Sequence, residues 1–521
     1  MSARRRPTPA PVTSIGEPSP EGSPWPAIVA MLAGFFVIVA SSSVVSVATS
    51  QISSDLDASA GEVLWVTSSY LVALVSLLLL AGRLGDRFGP RNVFLLGLAV
   101  FTTGNLLAGF AGSIETLVVT RVVQGVGASL MTPQPLTVIT RLIPVERRGP
   151  ALGAWGATSG VALLVGPLAG GALLGAAGWE SIFLVTVPMG IVVALLVLRL
   201  VPEFPRQSSG FDLLGTALSG VAIVAVSFAL QQGPEVEWGR VLGPLTAPVV
   251  AGIGILLLVV FVVWESSPRN AQPLVPVHLF GDRDFTLASL GVMAAGFVAT
   301  SIALPILVWA QDAGGLSPVG SAGLIAPMAV ATIVFAPQVG RLVGRCSPRV
   351  IATIGFVGLF GSLAGFSLLM SQDADPVWLA LPALVLGAAS AGIWGPLAIS
   401  ATARTPTDLA GAASGVYNTM RQIGGVLGVA AVSVGMQLTI EAKVPGRVSD
   451  GDGPGLGPLP ADLAPAFGEA MALTLLIPLA VAVLGAVASA FLTPLTAPPR
   501  PAAPESVEPH EPVTARQEGK R

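Results

Sequence analysis

Four charges lie in one ten-residue stretch, Gly82-Arg-Leu-Gly-Asp-Arg-Phe-Gly-Pro-Arg91, although charged residues make up only 11% of the sequence. Its glycines permit a tight turn and close approach of backbones, and its arginines can anchor the segment at the cytoplasmic face of a membrane. Asp86 is the exception, because a carboxylate among arginines can form charge-assisted hydrogen bonds or bind at a neighbouring helix N-terminus. The stretch is either a simple anchor or an anchor that includes a latch.

A second charged feature lies inside an apolar run. Arg121, Gln124, Gly125 and Ala128 follow the i, i+3, i+4, i+7 spacing of one helix face. A charge within a membrane segment is costly and marks a functional site by default. We therefore expect Arg121 and Gln124 to look into a helical bundle, where they either take part in transport or bind backbone carbonyls of an adjacent helix.

A third feature is rich in glycine and proline. It contains Gly153, Gly166-Pro167 and Gly170-Gly171. The missing N–H and the ring of Pro167 predict a bend, and small residues four apart allow helices to approach closely. Taken alone, this pattern suits any tightly packed membrane bundle.

The elements that must position these residues are membrane helices. Hydrophobic residues make up 53% of the chain and the mean hydropathy is +0.79, and a span needs about 20 apolar residues. Fourteen spans are predicted, near 25–48, 62–82, 92–112, 115–140, 150–176, 179–200, 212–231, 243–264, 285–310, 318–338, 350–370, 377–402, 411–438 and 466–492.

The distribution of Lys and Arg predicts the orientation. With fourteen spans and a cytoplasmic N-terminus, only Arg240, Lys443 and Arg447 fall in outer loops, as the positive-inside rule favours. Both termini are then cytoplasmic. The segments 1–24 and 493–521, rich in proline, are predicted to be disordered tails.

An internal repeat divides the chain. A shift of 258 residues lays 340–349 over 82–91 with six identities in ten positions, and a shift of 255 lays 411–416 over 156–161. The predicted fold is an all-α integral membrane protein with two six-helix pseudo-repeat halves, 25–201 and 285–492. Helices seven and eight are inserted with their linkers, 202–284. Repeats of this kind build many secondary transporters, which bind substrate near midplane between the halves.

Further polar and aromatic residues are candidates for a substrate cavity. In the thirteenth span Asn418, Arg421 and Gln422 share a helix face, and Tyr417 lies four residues before Arg421. Trp155 and Trp394 lie inside spans, whereas most tryptophans lie near span ends. Each of these two is either a stacking platform for substrate or a core or lipid-facing residue.

These motifs resemble the major facilitator superfamily, and within it the fourteen-helix drug/proton antiporter branch typified by EmrB and QacA. The resemblance covers about residues 25 to 492 and implies three sets of functional residues. They are a conformational latch of Gly82, Asp86, Arg87, Gly89 and Arg91, a coupling motif of Arg121, Gln124 and Gly125, and an antiporter motif of Gly153, Gly166, Pro167, Gly170 and Gly171. The third set indicates export, although Ala162 stands where a glycine is usual. For Arg87 or Arg91 we expect Glu146 as a partner.

The chain departs from that branch in its first span. Ser41 stands where an Asp is usual, and the predicted spans hold no carboxylate near mid-membrane. A buried cation without a counter-charge is penalised, so we infer a bias toward neutral or anionic lipophilic substrates. The proton carrier is left open among groups near span ends, namely Glu62, Glu265, Asp312 and Glu469.

Several classes are excluded or disfavoured. Neither lysine, Lys443 or Lys520, completes a phosphate-binding loop, and the absence of His and Cys from the spans argues against an enzyme, a metal site or a cofactor. We expect a monomeric, proton-coupled efflux transporter of the bacterial inner (plasma) membrane that meets lipid and small molecules but no nucleic acid. The alternatives are a dedicated exporter of one endogenous metabolite, such as an antibiotic or siderophore, and a non-transporting sensor or scaffold.

Overall fold

The computed structural model describes residues 23–205, 212–233, 236, 239–267, 270, 273–343, 345–444 and 463–494. The predicted tails therefore lie almost wholly outside the described residues. In chain order the α-helices are α1 Trp25–Asp55, α2 Ala60–Phe88, α3 Pro90–Ala108, α4 Ile114–Met131, α5 Gln134–Leu142, α6 Gly149–Ala177, α7 Glu180–Leu184, α8 Thr186–Leu200, α9 Leu213–Gln232, α10 Ala247–Glu265, α11 Arg283–Ser301, α12 Ala303–Asp312, α13 Pro318–Leu342, α14 Pro348–Ser371, α15 Ala380–Thr402, α16 Ala410–Lys443, α17 Ala464–Thr474 and α18 Leu476–Ala490.

Four predicted spans are each built from two consecutive helices: α4 with α5, α7 with α8, α11 with α12, and α17 with α18. Within the described ranges, thirteen helical segments are long and apolar enough to cross a membrane, and α13 contributes a shorter apolar segment, Ala326–Leu342. This agrees with the fourteen predicted spans, because α13 occupies the tenth. The exact boundaries 25–201, 202–284 and 285–492 stay predictions.

A small hairpin is the one departure from an all-helical chain in the described part. Strand β1, Arg240–Leu242, pairs antiparallel with β2, Leu245–Thr246, in the segment between α9 and α10. Gly243 lies between the strands with φ of +56°, a conformation that glycine adopts at little cost. The hairpin lies between the two inserted helices in the chain, and β2 packs on α10.

Helix starts follow local sequence signals. Ser59 and Glu62 form a capping box at the start of α2, and Asp282 accepts hydrogen bonds from two amides at the start of α11. Proline occupies an early position in several helices, including α3, α6 and α14, where its missing N–H costs nothing. Length and composition thus produce the helices, while their packing positions the site.

The two halves meet through pairs of helices. In the first half α1 packs on α6 and α2 on α4, and in the second half α11 packs on α16 and α14 on α15. Between the halves, α2 packs on α16 and α6 on α13. The inserted helices α9 and α10 pack on each other, and α9 rests on α2. Large apolar side chains remain exposed on the outside, for example Ile255, Leu256 and Val263 of α10, as expected for a lipid-facing surface.

Candidate functional site

Asp86 lies at the contact between the two halves and is fully buried. Its Oδ1 accepts hydrogen bonds from the Gly411 backbone N–H at 2.7 Å and from Arg141 Nη2 at 2.8 Å. Its Oδ2 accepts one from the Ala412 N–H at 2.7 Å. The carboxylate therefore caps the N-terminus of α16, where unsatisfied amides and the helix dipole favour an anion. We call this end of the molecule the Asp86 end.

Most of the stretch 82–91 is helical rather than a loop, contrary to the predicted end of the second span at residue 82. Helix α2 continues to Phe88 and α3 begins at Pro90. The turn is confined to Gly89, whose φ of +86° suits glycine. Gly82 instead permits close approach, because a side chain there would overlap the Gly411 carbonyl and lie 3.0 Å from Gly415 Cα.

The arginines of this stretch find partners other than the expected Glu146. Arg91 pairs with Glu203 at 3.3 Å and donates to the Leu198 carbonyl at 2.7 Å. Arg87 lies over the ring of Phe88. Arg141, at the end of α5, supplies the positive charge beside Asp86. The pairing of Arg91 is therefore corrected from Glu146 to Glu203, because α3 starts at Pro90 and carries Arg91 toward the end of α8.

The second copy of the stretch makes an equivalent crossing with α6. A side chain on Gly340 would lie 2.6 Å from the Gly149 carbonyl oxygen and 3.1 Å from Gly153 Cα. Gly149 and Gly153 thus correspond to Gly411 and Gly415, which is a shift of 262 residues. The predicted register of 255 for these helices is wrong by two helical turns, because similar glycines recur along α6.

Arg148 joins the halves at the same end, although no sequence motif indicated this role. Its guanidinium donates to the Thr402 carbonyl at 3.0 Å and to Thr402 Oγ1 at 3.1 Å. It also donates to the Thr140 carbonyl at 2.8 Å and the Ile143 carbonyl at 3.0 Å. A cation is thus held by the C-terminal ends of α5 and α15, as helix dipoles favour. Thr140 and Thr402 are themselves related by the 262-residue shift, which is the signal that could have revealed it.

Arg121 is buried inside the first half, as its helical stripe predicts. Its Nε donates to the Val66 carbonyl at 2.8 Å, and its Nη1 donates to Gln124. The guanidinium stacks on the Tyr70 ring, 4.3 Å from its centre. Gln124 in turn donates to the Gly104 carbonyl at 3.2 Å. Arg121 therefore binds a backbone carbonyl of an adjacent helix, which is one of the two alternatives expected for it. The Tyr70 ring lies between the Arg121 guanidinium and the space between the halves.

Gly125 completes the same packing. A side chain on it would lie 2.5 Å from the Tyr70 carbonyl and 2.7 Å from the Ala73 methyl. Helices α4 and α2 are therefore in direct contact at this glycine. The contact fixes the position of Arg121 along the helix axis relative to Tyr70. The coupling role of Arg121, Gln124 and Gly125 stays a prediction.

The glycines of α6 face two different helices. Gly153 contacts α13 of the second half, since a side chain would lie 2.7 Å from the Ala336 carbonyl. Gly166 and Gly170 contact α1, where side chains would overlap Ser43 and Val44. Pro167 lies within the helix between them. Gly171 is less crowded, at 4.0 Å from Val47, so the motif packs α6 between one helix of each half.

A cavity of about 420 Å³ lies between the halves, within the size range of small-molecule sites. It is lined by α1, α2 and α6 of the first half and by α11 to α16 of the second. Its wall is mainly apolar, with serine and threonine hydroxyls, four aromatic side chains of Trp or Phe, and the polar ends of Arg421 and Gln422. No described residue in the wall is Asp or Glu.

Four of the six cavity candidates lie in this wall: Trp155, Trp394, Arg421 and Gln422. Trp155 packs against Phe35 with 5.6 Å between ring centres, and Arg421 lies 5.9 Å from the centre of the Trp394 ring. The remaining two are buried outside the wall. The Tyr417 hydroxyl donates to the Trp394 carbonyl at 3.0 Å, and Asn418 donates to the Ser414 carbonyl at 2.9 Å.

The groups considered as proton carriers lie outside the cavity wall. Glu62 is used in the capping box of α2, and Glu469 pairs with Lys443 at 2.8 Å. Glu265 is buried and accepts from the Val275 N–H at 2.9 Å, and Asp312 is buried at the end of α12. Ser41, at the place of the family's usual Asp, is buried with no hydrogen-bond partner for its hydroxyl in the described structure.

Comparison with known proteins identifies the family. A family model described as the Major Facilitator Superfamily matches residues 30–429. The uncharacterized MFS-type transporter Rv1250 of Mycobacterium tuberculosis (strain ATCC 25618 / H37Rv) is 43% identical over 481 residues, which cover 91% of this chain and 82% of that protein. The tetracenomycin C resistance and export protein of Streptomyces glaucescens is 31% identical over 465 residues, or 88% and 84% of the two chains.

Solved structures support the same fold. The proton:xylose symporter XylE bound to 6-bromo-6-deoxy-D-glucose aligns with a TM-score of 0.57 at 14% identity, over 87% of this chain and 94% of that chain. At this identity the likeness concerns the fold alone. Together with the membrane helices and the cavity between two halves, these matches show that the chain belongs to the Major Facilitator Superfamily and is a multi-pass membrane transporter of small molecules, not an enzyme.

Proposed function

We propose that the chain is a proton-coupled exporter of lipophilic drugs or antibiotics that works by alternating access in a bacterial inner membrane. It belongs in this proposal to the fourteen-helix drug/proton antiporter branch and acts as a monomer. Both termini are cytoplasmic, so the Asp86 end is the cytoplasmic end.

The cavity between the halves carries this proposal. At the Asp86 end the halves are joined by Asp86 to α16, by Arg148 to Thr402, and by Ser414 to the Pro133 carbonyl at 2.6 Å. Such bonds hold one end of the bundle shut. Breaking them and closing the opposite end would expose the cavity to the other side, which is the rocking motion of repeat-built transporters. Asp86, with Gly82, Arg87, Gly89 and Arg91, is in this proposal the latch of that motion.

The cavity wall supports lipophilic substrates. Apolar and aromatic side chains dominate it, and a guanidinium is its charged group among the described residues, with no carboxylate beside it. An organic cation would meet like charge without compensation, whereas neutral and anionic compounds would not. The neutral or anionic bias inferred from Ser41 is therefore kept as part of the proposal.

Similarity to other proteins bears on the proposed coupling and on the breadth of substrates. Proton coupling and direction of transport are supported by the resemblance to drug/proton antiporters and by the antiporter motif of α6. A dedicated exporter of one compound is the second candidate, favoured by the relative named for tetracenomycin C resistance and export. A broad panel separates the two, since a dedicated exporter transports one structural class and a multidrug exporter several.

Reconstitution tests the proposal. The full chain in vesicles with an imposed pH gradient is given neutral, anionic and cationic antibiotics and dyes, while uptake and lumenal pH are followed. We expect gradient-driven transport with proton movement in the opposite direction, lost in Asp86→Asn and Arg121→Ala. Transport without proton movement would refute antiport, and the absence of any transport would favour a sensor or scaffold.

A further inference from the structure

Arg421 is a half-buried cation that pairs with no anionic side chain among the described residues. It projects from α16 into the cavity wall, and no ion pair or hydrogen bond from its guanidinium is formed within the described structure. Its Nε is shielded from water yet has no acceptor. Its described electrostatic neighbours are the Trp394 ring and the Tyr417 side chain, neither of which is a carboxylate. A charge held in a mainly apolar wall without a counter-charge is costly, so the cavity favours a ligand that supplies a negative group.

Two further donors of the same wall are unused. Trp155 Nε1 and the Tyr70 hydroxyl are buried without hydrogen-bond partners, and both residues line the cavity. By contrast, the wall hydroxyls of Ser159 and Thr332 already donate to carbonyls of their own helices, Trp155 and Met328. The Trp155 and Tyr70 donor atoms have almost no accessible surface in this conformation, so the Arg421 guanidinium is the charged donor that the described wall presents to a ligand.

Arg121, the other arginine inside a span, differs from Arg421 in its acceptors and in its position relative to the cavity. Arg121 is fully buried, donates to the Val66 carbonyl and to Gln124 and is covered by the Tyr70 ring, while its Nη2 has no acceptor in the described structure. Its charge is dispersed over protein acceptors and it does not line the cavity. Arg421 has no acceptor within the described part of the chain, and it does line the cavity.

From these contacts we infer that the cavity binds amphiphilic organic carboxylates, with Arg421 as counter-charge and Trp155 and Trp394 against the apolar body. This rests on the proposed function and names its substrate class. A guanidinium binds carboxylates through charge-assisted, often bidentate, hydrogen bonds. The indole faces supply large apolar area for an aromatic or polycyclic body, and the cavity of about 420 Å³ accommodates a drug-sized molecule.

A matched series of fluorescent probes tests the assignment. Pyrenebutyrate, pyrenebutanol and pyrenebutylamine share one apolar body and differ in charge. Binding to the full-length protein in nanodiscs is measured by energy transfer from tryptophan to pyrene, with empty nanodiscs as background. We expect pyrenebutyrate to bind most tightly and pyrenebutylamine least. Arg421→Gln should weaken pyrenebutyrate binding by roughly 10- to 100-fold, the size of a hydrogen bond to a charged group, while pyrenebutanol binding changes little.

Two variants serve as controls. Arg421→Lys keeps the charge and should recover part of the pyrenebutyrate affinity. Arg283→Gln removes an exposed arginine at the start of α11 and should leave all three affinities unchanged. Equal loss of pyrenebutyrate and pyrenebutanol in Arg421→Gln would show a structural role, and tightest binding of pyrenebutylamine to the parent protein would also overturn the assignment.

Transport of the same probes separates this inference from the proposed function. Charge-selective binding that depends on Arg421, but without gradient-driven movement, would refute proton-coupled export and leave the carboxylate site standing. Gradient-driven export of pyrenebutanol, with pyrenebutyrate binding that does not depend on Arg421, would refute the carboxylate site and leave proton-coupled export standing.

Discussion

Two helix crossings close the Asp86 end, and they differ in the charged side chains beside them. In the first, α2 meets α16 at Gly82, and in the second, α13 meets α6 at Gly340. Both crossings are set by a glycine against a backbone carbonyl of the other half. The first adds Asp86 on the amides of α16, whereas the sequence has Gly344 at the equivalent place in the second, outside the described residues.

The comparison distinguishes two kinds of contact between the halves: close packing of glycines, and bonds between charged side chains and helix ends. Steric fit between small residues is common to both crossings, as expected for helices packed in a membrane. Among the described residues, an anion lies on a helix N-terminus in the first crossing and not in the second, and the cation Arg148 lies beside the second, on the C-terminal ends of α5 and α15. The two crossings thus share their backbone packing but differ in the charges at the helix ends. Substitutions in the packing glycines and in these charges should therefore have different effects.

The largest effect is expected from Asp86→Asn. An amide cannot accept from both the Gly411 and Ala412 N–H groups as a carboxylate does, and Arg141 would keep an unpaired charge. Removing one partner of a buried ion pair costs about 3–5 kcal/mol. In this protein the cost destabilises only the state in which the Asp86 end is closed, because the pair exists in that state. We expect transport to be abolished while the protein remains in the membrane, measured by vesicle uptake and immunoblot. Glu203→Gln, which removes an exposed partner of Arg91, is the matched control, and full activity of Asp86→Asn would refute the latch.

Gly82→Ala and Gly340→Ala should both impair transport, and to a similar degree. Each added methyl meets backbone atoms of the other half, and overpacking of this kind costs about 1–3 kcal/mol. Gly361→Ala, with nothing within 4 Å of the added methyl, should retain the parent rate. Initial uptake rates normalised to protein amount provide the measurement. A silent Gly340→Ala beside an inactive Gly82→Ala would show that the crossings are not equivalent.

A smaller loss is expected from Arg148→Gln, which removes bonds to the Thr402 carbonyl and hydroxyl. Hydrogen bonds to a charged group contribute about 1.5–3 kcal/mol, but the neighbouring Asp86 contacts persist, so we expect a several-fold fall in rate rather than inactivity. Thr402→Val removes the hydroxyl alone and should have a milder effect. A double-mutant cycle measures the coupling, and additive losses would exclude a direct contribution from this bond.

The smallest effect is expected from Arg345→Gln in the second copy. Arg345 occupies the place of Arg87 in the repeat and is exposed. Exposed charges contribute little to stability, so uptake should stay within about twofold of the parent rate. A loss as large as that of Asp86→Asn would mean that the second crossing is also locked by charge.

Much of the frame was predictable from sequence because a bilayer leaves few options. Backbone polar groups in lipid must be satisfied within each segment, so long apolar runs become helices, and the predicted spans agree with the helices found. Burial of Arg121 followed from its position within such a run. The singular character of Asp86 was also visible, since an anchor has no need of a carboxylate.

The contacts between helices were not predictable in the same way. Similar glycines recur along α6, so sequence matching chose a register two turns away from the one that packs Gly149 and Gly153 on α13. Tyr417 and Asn418 share α16 with Arg421, yet the rotation of that helix turns only Arg421 and Gln422 into the cavity wall.

By itself, the sequence determined a membrane transporter frame of apolar helices in two repeated halves, with charge concentrated at one end and an arginine in the fourth span. Only the tertiary structure decided that Asp86 binds amides 325 and 326 residues away, that Arg148 joins the halves, and that Arg421 lines the cavity without an acceptor from the described residues. The physical reason is that helix formation depends on local composition, whereas the height and rotation of helices depend on the sum of many weak contacts between distant surfaces.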